Sequence, residues 1–487
     1  MANHVDRTSA PWLGARGRGV ALSLLALVAC SKGTDTSNGG GDSTATGIDG
    51  GGGGGGGGEG GPMPAPFPVG GDSGVSYTCA RSIHVATNGD DGNAGSAAAP
   101  LKTIAKATPT AQPGDCVLVH AGTYSESSTI GFKGDGSATA PIVLWSVDGR
   151  GAAIIDAGSN RSGPTVLIHQ DYVIVDGFDF RNSPTDTSEQ VVHFDGLTMG
   201  KGVGSVLRNC KLTGGYDHLK INQTCRGVTI EYNEFYGNFG HLPISLTSAP
   251  GLVFRHNFGH DWSTGDNGAI QLKGGSQDVL FDGNLFQDVT SQAGTIAMGD
   301  GCDTTCDIDP EHYAAVRARA INNVMVRVGR GFDVQGCKDC AVLSNTIVDS
   351  GQSNVVFKLT SAATNGVTHD SVNVRIQDNL VANSKGDQGD VIQINATAGQ
   401  GLQMDYNLVW NGGGAVSWGD THPAGADTHS LTKDPRLVAP ASGDFKLNAG
   451  SAAIGAGLNL FADVAHDFSG ATRPASGPFD IGAFQSP

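Results

Sequence analysis

A strand-like phrase, two or three apolar positions leading to an asparagine and another apolar pair, recurs along this 487-residue chain. It reads VLRNCKL at Asn209, IEYNEFY at Asn233, FRHNFG at Asn257 and LFDGNLF at Asn284. It continues as AINNVMV at Asn323, VLSNTIV at Asn345, IQDNLV at Asn379 and MDYNLVW at Asn407, with VDGFDF at Asp179 as an earlier copy lacking the asparagine. From Asn209 the spacings are 24, 24, 27, 39, 22, 34 and 28 residues. Such a period, interrupted by insertions, predicts a solenoid in which each coil buries its apolar residues on the next. Asparagines at one repeated turn can stack as a ladder, each amide bonding to the next and satisfying backbone groups that the turn buries. The LxxLxL frame of a leucine-rich horseshoe is missing. The expected fold is therefore all-β, a right-handed single-stranded parallel β-helix, and 75 glycines with only 6% aromatic residues suit its many tight turns.

The N-terminus reads as an export signal. Arg7, Arg16 and Arg18 precede an apolar run from Val20 to Ala29 that ends at Cys30, too short to span a bilayer. Leu27-Val28-Ala29-Cys30 resembles the bacterial lipobox. That resemblance implies cleavage before Cys30, a lipid on its sulfur, and a lipoprotein held at the cell envelope or surface; an ordinary signal peptide is the alternative. The following stretch contains Gly50 to Gly58 without interruption, then Pro62, Pro64, Pro66 and Pro68. It has no apolar periodicity and reads as a flexible tether. The organisation expected is a signal peptide over 1–29, a tether over 30–75, an N-terminal cap with the first coils over 76–160, the central β-helix over 161–430 and a closing segment over 431–487. A monomer touching the membrane only through its lipid is expected.

Without Cys30, eight cysteines remain. An even set outside the cytoplasm points to disulfides. Connectivity is open; the most local arrangement pairs Cys79 with Cys116, Cys210 with Cys225, Cys302 with Cys306 and Cys337 with Cys340. The spacings Cys302-x3-Cys306 and Cys337-x2-Cys340 leave zinc as a rival. The formal charge of −17 makes nucleic acid a poor partner and argues mildly against an acidic polymer.

Both ends carry recognisable segments. The stretch HVATNGDDGNAGSAAAPLKTIAKATPTAQPGDCVLVHAGTYSE, His84 to Glu126, resembles the N-terminal cap of bacterial parallel β-helix proteins of the pectate-lyase-like superfamily. Leu101, Ile104 and Ala105 would form a short apolar helical face over the open first coil. The tail, with Asp434-Pro435, Asp444-Phe445-Lys446-Leu447, Asp467-x2-Gly470-x2-Arg473-Pro474 and Asp480-Ile481-Gly482-Ala483-Phe484, resembles the closing segment of such proteins.

Aligning the strands by their asparagines turns outward positions into columns. One column holds Lys220, Ser245, Gln271, Ala297, Asp333, Lys358 and Gln393; its neighbour holds Asn222, Thr247, Lys273, Gly299, Gln335, Thr360 and Asn395. Strands about 4.8 Å apart make this polar surface a natural track for a few units of a polysaccharide. Lys273, Lys220 and His241 are the candidates for catalysis. Asn222, Gln271, Asp266, Asn267, Asp333, Gln335 and Lys358 are the candidates for substrate contact. After the Lys273 strand, MGDGCDTTCDIDPEH brings Asp300, Asp303, Asp307 and Asp309 together with Glu311, an oxygen-rich loop suited to calcium although no EF-hand frame is present.

Locally, IQLKGGS resembles the base-bearing strand of polysaccharide lyase families built on parallel β-helices, including alginate and chondroitin-type lyases. The resemblance implies β-elimination on a uronic-acid polymer: Lys273 takes the C5 proton and an arginine one coil further acts as acid. In the next coil, TIAMGDG offers Met298 and Gly299 where that arginine is expected, leaving Arg255, Arg317 and Arg330 as substitutes from elsewhere. Glycoside hydrolysis needs two carboxyl groups across one bond. The polygalacturonase pattern of paired Asp, Gly-His-Gly and Arg-x-Lys is missing from the central coils, where Gly240-His241-Leu242 lacks the second glycine. Two plainer alternatives stand beside the lyase: Lys273 as a surface lysine before a Gly274-Gly275 turn, and the whole chain as a non-catalytic glycan-binding or adhesive surface protein.

Overall fold

The computed structural model describes residues 74–486 except 159–162, 187, 197–200, 223–224, 266–267, 352–354, 385–389, 396 and 420. Residues 1–73, which include the expected signal peptide, Cys30 and nearly all of the expected tether, and the groove candidates Asp266 and Asn267 lie outside the described residues. The unit Gly61–Pro487 holds all that follows.

Each coil contributes short strands to successive faces. The strands before the repeated turn, from Arg81–Val85 to Gln403–Asp405, stack into a 12-stranded sheet, the first face. Those after the turn (second face) and those carrying the predicted columns (third face) merge into a 19-stranded sheet. They merge because Phe258–Gly265, Leu285–Met298 and Val324–Gln335 run unbroken through the corner. Coil-to-coil pairing is parallel, for example Lys220 with Ser245 and Ser245 with Gln271, so the fold is the expected right-handed parallel β-helix. Alternation sends residues such as Ile270 and Leu272 into one continuous apolar core.

The asparagine ladder forms at Asn233, Asn257, Asn284, Asn323, Asn345, Asn379 and Asn407. Each side-chain amide donates to the next side-chain oxygen, at 2.9 to 3.2 Å. The residue before each one, such as Tyr232, His256 or Asp378, takes positive φ to turn the corner. Asn209 is not a rung. It occupies that preceding corner with φ 55, and its amide donates to Asp176 at 2.7 Å. Cys210 takes the ladder slot and donates its N–H to Asn233 Oδ1 at 3.0 Å. One coil earlier the same shift puts Gly177 in the corner, with φ 87, and Phe178 rather than Asp179 after it.

That shift of register also corrects one cysteine pair. Cys210 points into the core, and Cys210 and Cys225 are separate buried thiols. Cys79–Cys116, Cys302–Cys306 and Cys337–Cys340 are disulfides.

At the N-terminal end, Leu101, Ile104 and Ala107 are buried and Ala105 packs against the same core. Glu126 accepts the Ile104 N–H at 2.6 Å. The tail runs beside the helix as well as closing it. Phe445, Phe468, Ile481 and Phe484 cover outward residues of the second face, among them Phe258, Leu285, Val324, Val348 and Leu380. Polar bonds fix it in place: Arg473 donates to Asn322 at 3.1 Å, and the N–H of Ala483 to Thr346 at 2.9 Å.

Candidate functional site

The third face carries the predicted columns in the predicted register. Lys220, Ser245, Gln271, Ala297, Asp333, Lys358 and Gln393 stand on successive paired strands, and His193 precedes Lys220 in the same column. In the neighbouring column Thr247 pairs with Lys273 and Gln335 with Thr360. Asn222, Gln271, Gln335 and Lys358 are half-buried on this surface.

One bank of the face holds an oriented histidine. Asp217 is buried at the start of its strand. One of its oxygens accepts from His241 Nδ1 at 3.1 Å and from the Leu242 N–H at 3.2 Å. A carboxylate oxygen placed to accept from Nδ1 favours the tautomer that leaves Nε2 of His241 as the acceptor. The His241 ring stacks on Tyr216 at 4.8 Å and 9°, with its side chain 38% exposed. Gly240 lets the chain pass there, because a Cβ would overlap the Thr185 carbonyl.

Lys220 lies three residues beyond Asp217, half-buried and outside every ion pair among the described residues. Beneath it His193 presents a buried Nε2 with no hydrogen-bond partner among the described residues. Burial pushes this imidazole down to about 4, so it is neutral beside the lysine. Neither His193 nor Tyr216 belongs to a motif of its own; extending the column one coil down from Lys220 identifies the former. His218, next to Asp217, is no groove residue: it is buried against Phe239 and Trp262.

Lys273 stands on the opposite bank, at its strand end. Gly274 and Gly275 follow with φ 72 and 71, and the acidic loop of the next coil folds down onto them. Ile308 N–H donates to Gly274 O at 3.2 Å, and Gly275 N–H to Ala314 O at 2.9 Å. Ser248 Oγ donates to the Cys306 carbonyl. Hydrogen bonds from the Thr305 hydroxyl and N–H hold the Asp303 carboxyl below its usual range, and the charge of Lys273 adds to them. The charge near Lys273 is thus the Asp303 carboxylate rather than an arginine.

The arginine expected one coil further has no place to stand. Gly299 has φ 94, and a Cβ there would overlap the Gln335 carbonyl. None of the three substitutes fills the role. Arg255 pairs with Glu231 at 2.7 Å on the first face, and Arg317 pairs with Asp278 at 2.7 Å. Arg330 is buried and holds Asp333 at 3.0 Å. Asp333, expected to meet substrate, is thereby withdrawn: it is 3% exposed and also accepts the Gly294 N–H at 3.0 Å.

The four aspartates proposed as calcium ligands do not bring three carboxylates within 4.8 Å of one another. Asp300 accepts from Gly301, Asp303 from Thr305, Asp307 from Asp309 and His312, and Asp309 from Tyr313 and Gln277. Among the described residues, the one group with ligand atoms within 4.8 Å of one another is Cys302, Asp303 and Cys306, and its two sulfurs are bonded to each other. The same bond, with that of Cys337 to Cys340, removes the sulfurs a zinc site would use. Asp303 and Asp307 accept from groups of the loop itself, whereas Glu311 pairs with Lys338 at 2.6 Å.

Residues 83–258 match the family model described as Pel9A-like, right handed beta helix region. This stretch includes Asp217, Lys220 and His241 and ends before Lys273. An 88-residue segment is 36% identical to pectate lyase PEL9 of Emericella nidulans, covering 18% of this chain and 21% of that protein. The chain thus matches about a fifth of that curated relative's length. The crystal structure of pectate lyase Pel9A aligns with a TM-score of 0.53 at 17% identity, over 85% of this chain and 97% of that one. The likeness shows a shared right-handed parallel β-helix.

Proposed function

We propose that this protein acts on a polysaccharide containing uronic acid, bound across the third face and cleaved by β-elimination at the centre formed by Asp217, His241 and Lys220. The observation that carries the reading is an Asp-oriented histidine just before one strand of the outward face and, on the adjacent strand, Lys220, in register with Ser245 and outside every ion pair among the described residues. The Lys220 ammonium sits against the uronate carboxylate and acidifies the C5 proton. His241 Nε2 takes that proton, the electron pair forms the C4–C5 double bond, the C4–O4 bond breaks, and O4 leaves with a proton from water. Lys273, two coils further and about 10 Å along the stack, serves as a second cation for a neighbouring uronate.

The test is an ultraviolet assay for the unsaturated product on polygalacturonate, alginate and glycosaminoglycans. His241→Ala and Lys220→Ala each lower kcat by about a hundredfold or more, whereas Lys273→Ala acts mainly on KM. If no polymer yields unsaturated product, elimination is wrong. The lack of room for an arginine beside Lys273 favours a second reading in that event, a non-catalytic glycan-binding protein, recognised by retention in polymer-loaded gels without turnover.

A further inference from the structure

Beside the His241 bank lies a recess of about 720 Å³ lined by Asp156, Asn182, Pro184, Thr185 and Asp186. It adjoins the proposed centre, since the Thr185 carbonyl packs where a Cβ of Gly240 would stand and Tyr216, stacked under His241, touches the same point. Its chemistry differs from that of the columns. Among the described residues two carboxylates and no cation line it; Arg181, next to Asn182 in sequence, is engaged by Asp179 at 2.6 Å, and Arg161 lies outside the described residues. The Asn182 amide, the Thr185 hydroxyl and the Asp186 carboxylate have no hydrogen-bond partner among the described residues, while Asn182 and Asp186 are exposed. Carboxylate and amide groups open to solvent can bind paired hydroxyls, and a proline face accepts the C–H side of a sugar ring. The same carboxylates repel a uronate.

We propose that this recess is a subsite for an uncharged sugar, so that the preferred substrate carries neutral units next to the uronate cleaved at His241. The assignment of a neutral neighbour to a uronate rests on the function proposed above; the binding of a neutral sugar in the recess does not.

Two measurements on the full chain keep these apart. In saturation-transfer NMR, a panel of neutral methyl glycosides gives signals with wild type and with His241→Ala. The signals vanish in the double variant Asn182→Gly, Asp186→Ala, where glycine suits the positive φ of 56 at position 182. No transfer from any neutral glycoside, or transfer unchanged in the double variant, overturns the subsite. In gel retention, wild type binds a polymer alternating uronate and neutral units about tenfold tighter than polygalacturonate, and the double variant loses that preference while holding polygalacturonate as before. Equal retention of both polymers by wild type overturns the neutral-neighbour assignment. Transfer from neutral glycosides with no retention of either uronate polymer leaves the recess standing and removes the function proposed above.

Discussion

Asp378 occupies the corner before Asn379 with φ 58, under the C-terminal tail. One carboxylate oxygen accepts the Leu458 N–H at 2.8 Å, while the other is buried without a partner among the described residues. Burial raises its pKa to about 7, against the opposing Leu458 bond and Arg473 charge. Between the ordinary carboxyl value of 3.8 and about 7, the unfolded chain has lost this proton and the folded chain retains it. Stability therefore falls as pH rises through that window and levels off above it. Asp378→Asn keeps the acceptor for Leu458 and removes the buried charge. Its melting temperature should exceed that of wild type at pH 8 and match it near pH 4; equal curves at both would refute the assignment. Cys210 and Cys225 give a second prediction at this scale. Burial pushes both thiols up to about 12, so neither should react with a thiol reagent at pH 8 until denaturant is added.

At the scale of the element, the ladder is what a coil cannot lose. Asn284 donates to Phe254 O and Asn323 Oδ1, and its own oxygen accepts from Asn257. Asn284→Ala leaves buried donors of Asn257 with no acceptor and should cost about 2–4 kcal/mol in denaturant unfolding, or a little less if water enters. A change under about 0.5 kcal/mol would show that the rungs are not coupled. Legibility at this scale divides within one phrase. VLRNCKL displays an asparagine at the right interval, but the same short pattern fits two registers one residue apart. Only the pairing of Cys210 with Asn233 decides between them. The register one residue along turns Cys210 inward, where it stays apart from Cys225, the partner that nearness in sequence suggested. The columns escape this ambiguity: from Lys220 onward they are anchored by Asn233 and later rungs, where every slot carries asparagine.

At the scale of the molecule, the tail and the N-terminus set the next tests. The tail lays apolar residues along coils far from it in sequence, and its resemblance to a closing segment gave no hint of that lateral path. The lipid anchor at Cys30 remains our proposal. Radiolabelled palmitate should enter the wild type and not Cys30→Ser, which should also lose membrane association in cell fractionation; labelling that persists in the variant would refute the anchor.

The chain's periodicity was enough to determine the coil, the ladder from Asn233 on and the outward columns, because each follows from local alternation and a repeat that any stacked neighbour must share. Tertiary structure alone decided which column residues are usable. Asp333 and Lys273 look alike in the alignment, yet one is locked by Arg330 and the other faces an acidic loop. It also decided that His241 is aimed by Asp217 from the coil below, and that Gly299 leaves no room for an arginine. These depend on contacts between side chains and loops of different coils, which insertions of unequal length place, and no spacing along one strand records them.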